Sequence, residues 1–229
     1  MPSKKNAKLL TEKEFEMDNY EGFYEHHYFA AFSDEHALNA HRFLPRVAWA
    51  LDVAKEIKPK RILDLGCLEG YALLTVATRL DDVELAVGVD LSQEGIDLAK
   101  ARAPEYAKFY QQDIESFLEQ CKDMFDLIMA FEVMEHVKDP HLVFRLIDQV
   151  LAPGGTVLIS TPDFEDHVYG KDDEKNKCHI RLYTVDDEDY QGTNKYGNVR
   201  TASSLSKQIG KDRIQDMKVV SHLINCRYQ

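Results

Sequence analysis

Residues Lys60–Tyr71 read KRILDLGCLEGY. Apolar Ile62 and Leu63 lead into Asp64, and the chain breaks at Gly66 and Gly70 before an apolar run resumes at Ala72. That order of buried strand, tight glycine turn and helix start is the first unit of a doubly wound α/β domain. Upstream, Val47, Ala50, Leu51, Ala54 and Ile57 recur at helical spacing until Pro59, with a helix start offered at Ser33-Asp34-Glu35. Downstream, strand patterns at 84–90, 107–111, 125–131 and 156–161 alternate with helical patterns at 70–80, 93–103, 114–122 and 139–151. Strands separated by helices imply right-handed parallel crossovers, so the sequence predicts a mostly parallel sheet with helices on both faces.

After 162 the character changes. Residues 163–199 are polar and aperiodic, as expected for a lid or substrate loop. A helix near 202–209 and a strand near 217–225 would complete the sheet, the last antiparallel strand being either missing or supplied by that segment. The predicted organisation is an N-terminal cap (1–33), a core (34–162), an insert or lid over the site (163–200) and a C-terminal helix and strand (201–229). Aromatics crowd between Phe15 and Phe32, and two readings stand: a cap over a pocket, or a helix packed on the domain.

The chain has 229 residues, enough for one sizeable core. With 28 basic and 40 acidic residues its formal charge is −12, which repels phosphate backbones and disfavours a nucleic-acid partner. The first residues, MPSKKNAKLL, lack the apolar core of a signal peptide, and no run approaches the ~20 apolar residues of a membrane span, so a cytoplasmic protein is expected. Cys67, Cys121, Cys178 and Cys226 are too scattered for a zinc knuckle or a disulfide framework. They read as reduced and mostly buried. The sequence leaves the oligomeric state open.

In open α/β sheets ligands sit beyond the carboxyl ends of the strands. Those ends carry Asp64, Gly66 and Gly70; Asp90; Asp113; Glu132, Glu135 and His136; and Thr161 and Asp163. A nicotinamide dinucleotide wants GxGxxG, but the three positions are Gly66, Leu68 and Tyr71, and Glu69 stands where the pyrophosphate would lie. A ligand with an adenosine but no phosphate fits better, Asp90 accepting from ribose hydroxyls. On local sequence Asp90 reads equally as a helix N-cap.

ILDLGCLEG, VGVDLS, QQDIESF, FDLIMAFEVMEHV and LAPGGTVLIST, in this order and spacing, resemble the motifs of class I S-adenosylmethionine-dependent methyltransferases over roughly residues 40–162. The resemblance implies a Rossmann-like sheet and S-adenosyl-L-methionine as cofactor. It implies that Asp64, Gly66, Cys67 and Gly70 frame the methionine part, that Asp90 holds the ribose with Leu91 against the adenine, that Asp113 and Ile114 face the adenine edge, and that Phe131 also binds the cofactor. Leu68 departs from the family's middle glycine and puts the loop conformation in question. Arg42 or Arg46 is a candidate partner for the cofactor carboxylate, against the plainer reading of a solvated helix charge.

EVMEHV is similar to the wording of ubiquinone-biosynthesis O-methyltransferases, which implies a small-molecule acceptor, a hydroxyl by preference. If Glu132, Glu135 and His136 share a helical turn, they point one way. In some relatives the matching residues bind a divalent metal such as magnesium, and CHIRLYT makes His179 the candidate fourth ligand; in others the same string is structural. His136, with Glu135, is the candidate catalytic base, while His26, His27, His167 and His179 are weaker ones. Phe164, Tyr169 and Tyr183 would help to enclose the acceptor. The alternatives are a 2′-O-methyltransferase of RNA 3′ ends, a non-catalytic S-adenosylmethionine-binding protein, and a nicotinamide-dependent reductase.

Overall fold

The first strand, β1 (Arg61–Leu65), is buried at four of its five positions, as a sheet covered on both faces requires. The computed structural model describes residues 45–162, 182–184, 190–193, 199–220 and 223–229. Helix α1 (Pro45–Ile57) precedes β1. Then come α2 (Tyr71–Ala77), β2 (Leu85–Asp90), α3 (Gln93–Arg102), β3 (Ala107–Gln111), α4 (Ile114–Gln120), β4 (Phe125–Phe131), α5 (Pro140–Val150) and β5 (Leu151–Pro162). After the insert come α6 (Leu205–Ile209), a 3-10 turn (Lys211–Arg213), β9 (Ile214–Val220) and β10 (Leu223–Tyr228).

The main sheet runs β3-β2-β1-β4-β5-β10-β9. It is parallel through β5, and β10 is antiparallel to both β5 and β9. Strand order reverses between β1 and β4, which makes their carboxyl ends the crevice of a doubly wound sheet. Side-chain alternation sorts the core. Ile62, Leu127, Met129 and Phe131 face α1, α2 and α3, while Leu63, Leu65, Ile128 and Ala130 face α4, α5 and α6. By the same alternation Asp64 points to the α2 face, where only polar partners relieve its burial.

The C-terminal region corrects the single strand expected over 217–225. It is a hairpin of β9 and β10, because the polar pair Ser221-His222 separates two apolar runs that read as one when the pattern is taken continuously. The antiparallel strand is therefore present. The insert is not wholly irregular either: β6 (Leu182–Thr184), β7 (Tyr190–Thr193) and β8 (Val199–Ser204) form a small sheet in the order β6-β8-β7. Strands of three to six residues are too short to show a period of two. The helix expected at 202–209 is shortened accordingly to α6. Among the described residues no helix is long and apolar enough to cross a membrane.

Arg213 locks the C-terminal hairpin to α5. Its guanidinium meets both oxygens of Asp148 (2.9 and 2.6 Å), donates through Nε to the Gln229 carbonyl (2.9 Å) and lies 5.0 Å from the centre of the buried Tyr228 ring. Arg213→Ala is expected to lower stability by about 1–2 kcal/mol, read from the urea unfolding midpoint. An unchanged midpoint would remove the bridge from the account.

Candidate active site at the β1 and β4 strand ends

The glycine turn is pinned to β2: the Gly66 and Cys67 amides both donate to the Val89 carbonyl (2.8 and 3.1 Å). Gly66 and Gly70 adopt φ of 72° and 73°. A Cβ at Gly66 would lie 2.5 Å from Val133 Cγ2, and one at Gly70 2.7 Å from the Phe109 ring. Packing and backbone conformation therefore require both glycines. Gly88, which the sequence did not single out, sits beside Asp64 in the β1–β2 register. A Cβ there would stand 2.5 Å from Phe109 and 2.7 Å from Cys67 Sγ. Gly88→Ala is expected to cost about 1–3 kcal/mol in a thermal melt; a wild-type melting temperature would contradict the close approach. Leu68 keeps the left-handed conformation natural to the glycine it replaces, with φ of 46°, at a cost of about 1–2 kcal/mol. Its amide donates to Asp90 Oδ2 (2.8 Å), which holds it there.

Asp90 is not the helix N-cap. Ser92 caps α3 by accepting from the Gly95 amide (3.1 Å). Asp90 accepts from the Leu68 amide on one oxygen and from the Ser92 amide (2.9 Å) on the other. Each oxygen keeps a lone pair for a further donor. Asp64 is 2% exposed, and its Oδ2 has no hydrogen-bond partner. Burial first, then the neighbouring Asp90 charge, raises its pKa to about 8, against the Leu73 amide and Arg46, which favour the charged form. Burial also raises Asp90 and Glu69 above the usual carboxylate range and pushes the Cys67 thiol up. The turn is a buried acidic cluster with an unsatisfied oxygen, the chemistry that an ammonium-bearing ligand completes. Glu69 is itself buried and adds its negative charge to Asp64 and Asp90, which reinforces the argument against a pyrophosphate.

At the carboxyl end of β2, Gln111 Nε2 donates to the Leu91 carbonyl (2.9 Å) and fixes that residue. Asp113 is exposed and caps α4 by accepting from the Ser116 amide (3.0 Å), so one oxygen is committed to the helix. Ile114 is half-buried against the core, and Phe131 ends β4 on the same face as Cys67.

The turn after β4 differs from the expected helical turn. Glu132 has φ of 56°, which breaks any helix, and His136 closes a turn by donating its amide to the Val133 carbonyl (2.9 Å). The carboxylates face β5: Ser160 Oγ donates to Glu132 Oε1 (2.9 Å) and Thr161 Oγ1 to Glu135 Oε2 (3.2 Å). His136 Nε2 lies 3.9 Å from Glu135 Oε1, and both side chains are almost wholly buried. Burial, then the Glu132 charge, raises the Glu135 pKa well above its usual value. Arg46 is half-buried in α1, and its charge favours the ionised form of both Asp64 and Glu135.

Among the described residues no three His, Cys, Asp or Glu groups converge as a metal would need. Glu132 and Glu135 accept from separate hydroxyls, Ser160 Oγ and Thr161 Oγ1. His179, Arg42, His26, His27, His167, Asp163, Phe164, Tyr169 and Cys178 lie outside the described residues. Cys67, Cys121 and Cys226 are free, the first and last of them buried.

The profile described as "Methyltransferase domain" matches residues 57–216. A ubiquinone biosynthesis O-methyltransferase of Aeromonas salmonicida is 34% identical over 119 residues, covering 51% of this chain and 49% of that protein. The chain thus spans about half the length of the curated relatives it matches. Among solved structures, the DhpI–SAH complex superposes with a TM-score of 0.57 at 14% identity, over 92% of this chain and 93% of that one. A chain of the Haloferax volcanii complex between the Trm112 methyltransferase activator and a methyltransferase reaches 0.64 at 14% identity, over 93% and 97%. These likenesses show a shared fold, and with the profile match they close the argument that began at KRILDLGCLEGY: this chain belongs to the methyltransferase domain family, with the class I, S-adenosylmethionine-dependent sheet.

Proposed function

We propose that the chain transfers a methyl group from S-adenosylmethionine to a hydroxyl of a small-molecule acceptor. The observation that carries the donor is the unpartnered, buried Asp64 oxygen beside Asp90. Asp64 would take the ammonium of the amino-acid end, and Asp90 the ribose hydroxyls through its remaining lone pairs. Leu91 and Ile114 would bound the adenine, with Asp113 at its edge. When bound, the donor supplies an electrophilic methyl group whose in-line transfer demands chiefly alignment and exclusion of water.

The chain's own residues supply the rest. A hydroxyl acceptor must lose its proton, and the His136 imidazole is suited to take it, with the Glu135 carboxyl group 3.9 Å from its Nε2. The resemblance to a protein named for O-methylation supports oxygen as the acceptor atom. The test is calorimetric titration with S-adenosylmethionine, followed by incubation of labelled donor with a panel of phenols. Binding and labelled ether products are expected. No heat with the donor would sink the proposal, and binding without any labelled product would favour a non-catalytic binding protein.

A further inference from the structure

Three buried hydroxyls converge on the turn that follows β4. Ser160 and Thr161 are consecutive in β5 and so point to opposite faces of the sheet. Ser160 Oγ donates to Glu132 Oε1 (2.9 Å), and its carbonyl accepts from the Glu132 amide (2.9 Å). Thr161 Oγ1 donates to Glu135 Oε2 (3.2 Å). Tyr183, in β6 of the small sheet, donates its hydroxyl to the Met134 carbonyl (3.2 Å). All three residues are 0% exposed. Strand positions this deep are filled with less desolvation by valine or phenylalanine, since a buried hydroxyl is unfavourable unless its hydrogen bond is made. Each of these hydroxyls makes that bond to one and the same turn. The turn also holds Glu132 at φ 56°, a conformation costing on the order of 1–3 kcal/mol that persists only where surrounding contacts over-determine it.

We propose that Ser160, Thr161 and Tyr183 are positioning residues, a hydroxyl frame that grips the Glu132–His136 turn from both faces of the sheet and sets its carboxylates and imidazole against the acceptor. The inference rests on the turn being the acceptor side of the site. Through Tyr183 the frame also joins the insert to the chemistry: the small sheet reaches the turn by a hydrogen bond to Met134.

Ser160→Ala, Thr161→Val and Tyr183→Phe remove one hydroxyl each with little change of shape, and Thr161→Ser restores one. In the full chain, calorimetric affinity for S-adenosylhomocysteine should stay within about twofold of wild type, a difference of only ~0.4 kcal/mol. Amide exchange at Glu132 and His136 should quicken by about tenfold while that of Gly66 and Cys67 stays unchanged. With a phenol that the wild type methylates, kcat should fall on the order of 10- to 100-fold at little cost in KM, and Thr161→Ser should recover most of it. Unchanged exchange in all three variants would overturn the frame, as would losses of exchange protection, turnover and donor affinity in parallel, which signal general destabilisation. If no phenol is methylated by the wild type, the acceptor reading fails, and the exchange data alone still decide whether the hydroxyls fix the turn.

Discussion

Replacing Asp64 with asparagine is expected to weaken S-adenosylmethionine binding by about 100-fold, since one buried charge-assisted hydrogen bond is worth roughly 1.5–3 kcal/mol. The substitution keeps the shape of the side chain and removes its capacity for charge. In the free protein Asp64 titrates near about 8 because it is buried beside Asp90. A cationic ligand end lowers that value, so donor binding should release a proton at neutral pH. Affinity should climb with pH up to about 8 and then level off. Calorimetry in two buffers of different ionisation enthalpy reads the proton directly. The absence of any buffer dependence would show that Asp64 does not meet the cation.

The same shift has a sign for stability. A carboxyl raised from 3.8 to about 8 binds more protons folded than unfolded between those values. Stability contributed by Asp64 is therefore full at low pH and is lost as pH rises across that window, by up to ~1.4 kcal/mol per pH unit. Thermal melts of the wild type should fall between about pH 5 and pH 8 more steeply than those of Asp64→Asn, which lacks the group. Equal slopes would count against the burial argument.

His136→Ala is the second large effect. Removing a general base typically costs about 10²–10⁴ in rate, and the loss should appear in kcat with donor affinity unchanged, because His136 lies at the end of β4 and not on the glycine turn. Glu135→Gln should slow turnover less, since it removes the carboxyl group 3.9 Å from His136 Nε2 but leaves the imidazole. Full turnover in the alanine variant would move the base elsewhere, and the histidines of the insert would be the next to test.

Much of the fold was legible because a parallel sheet covered on both faces leaves continuous apolar runs. ILDL, LAVGV, FDLIMAF and TVLIS declare strands without alternation, and Ser92, Asp113 and Asp139 mark helix starts by accepting from backbone amides of the first turn. Less legible were segments whose signals are short or merged. The β9–β10 hairpin read as one strand, and the small sheet of the insert read as loop. At the site, residue types were visible but their partners were not. Asp90 reads equally as a cap or a ribose acid in the sequence, and the structure excludes the cap; the helical turn that would align Glu132 with Glu135 and His136 is absent, Glu132 being left-handed.

The sequence by itself determined the order of strands and helices, the acids at successive strand ends and the turn unsuited to a pyrophosphate, because periodicity and glycine placement are local properties of the chain. Only the tertiary structure decided that Gly88 must be glycine, that the Asp64 oxygen is buried without a partner, and that the Ser160, Thr161 and Tyr183 hydroxyls close on the Glu132–His136 turn. Those facts depend on packing between residues far apart in the chain, where burial sets both the cost of a charge and the need for its partner.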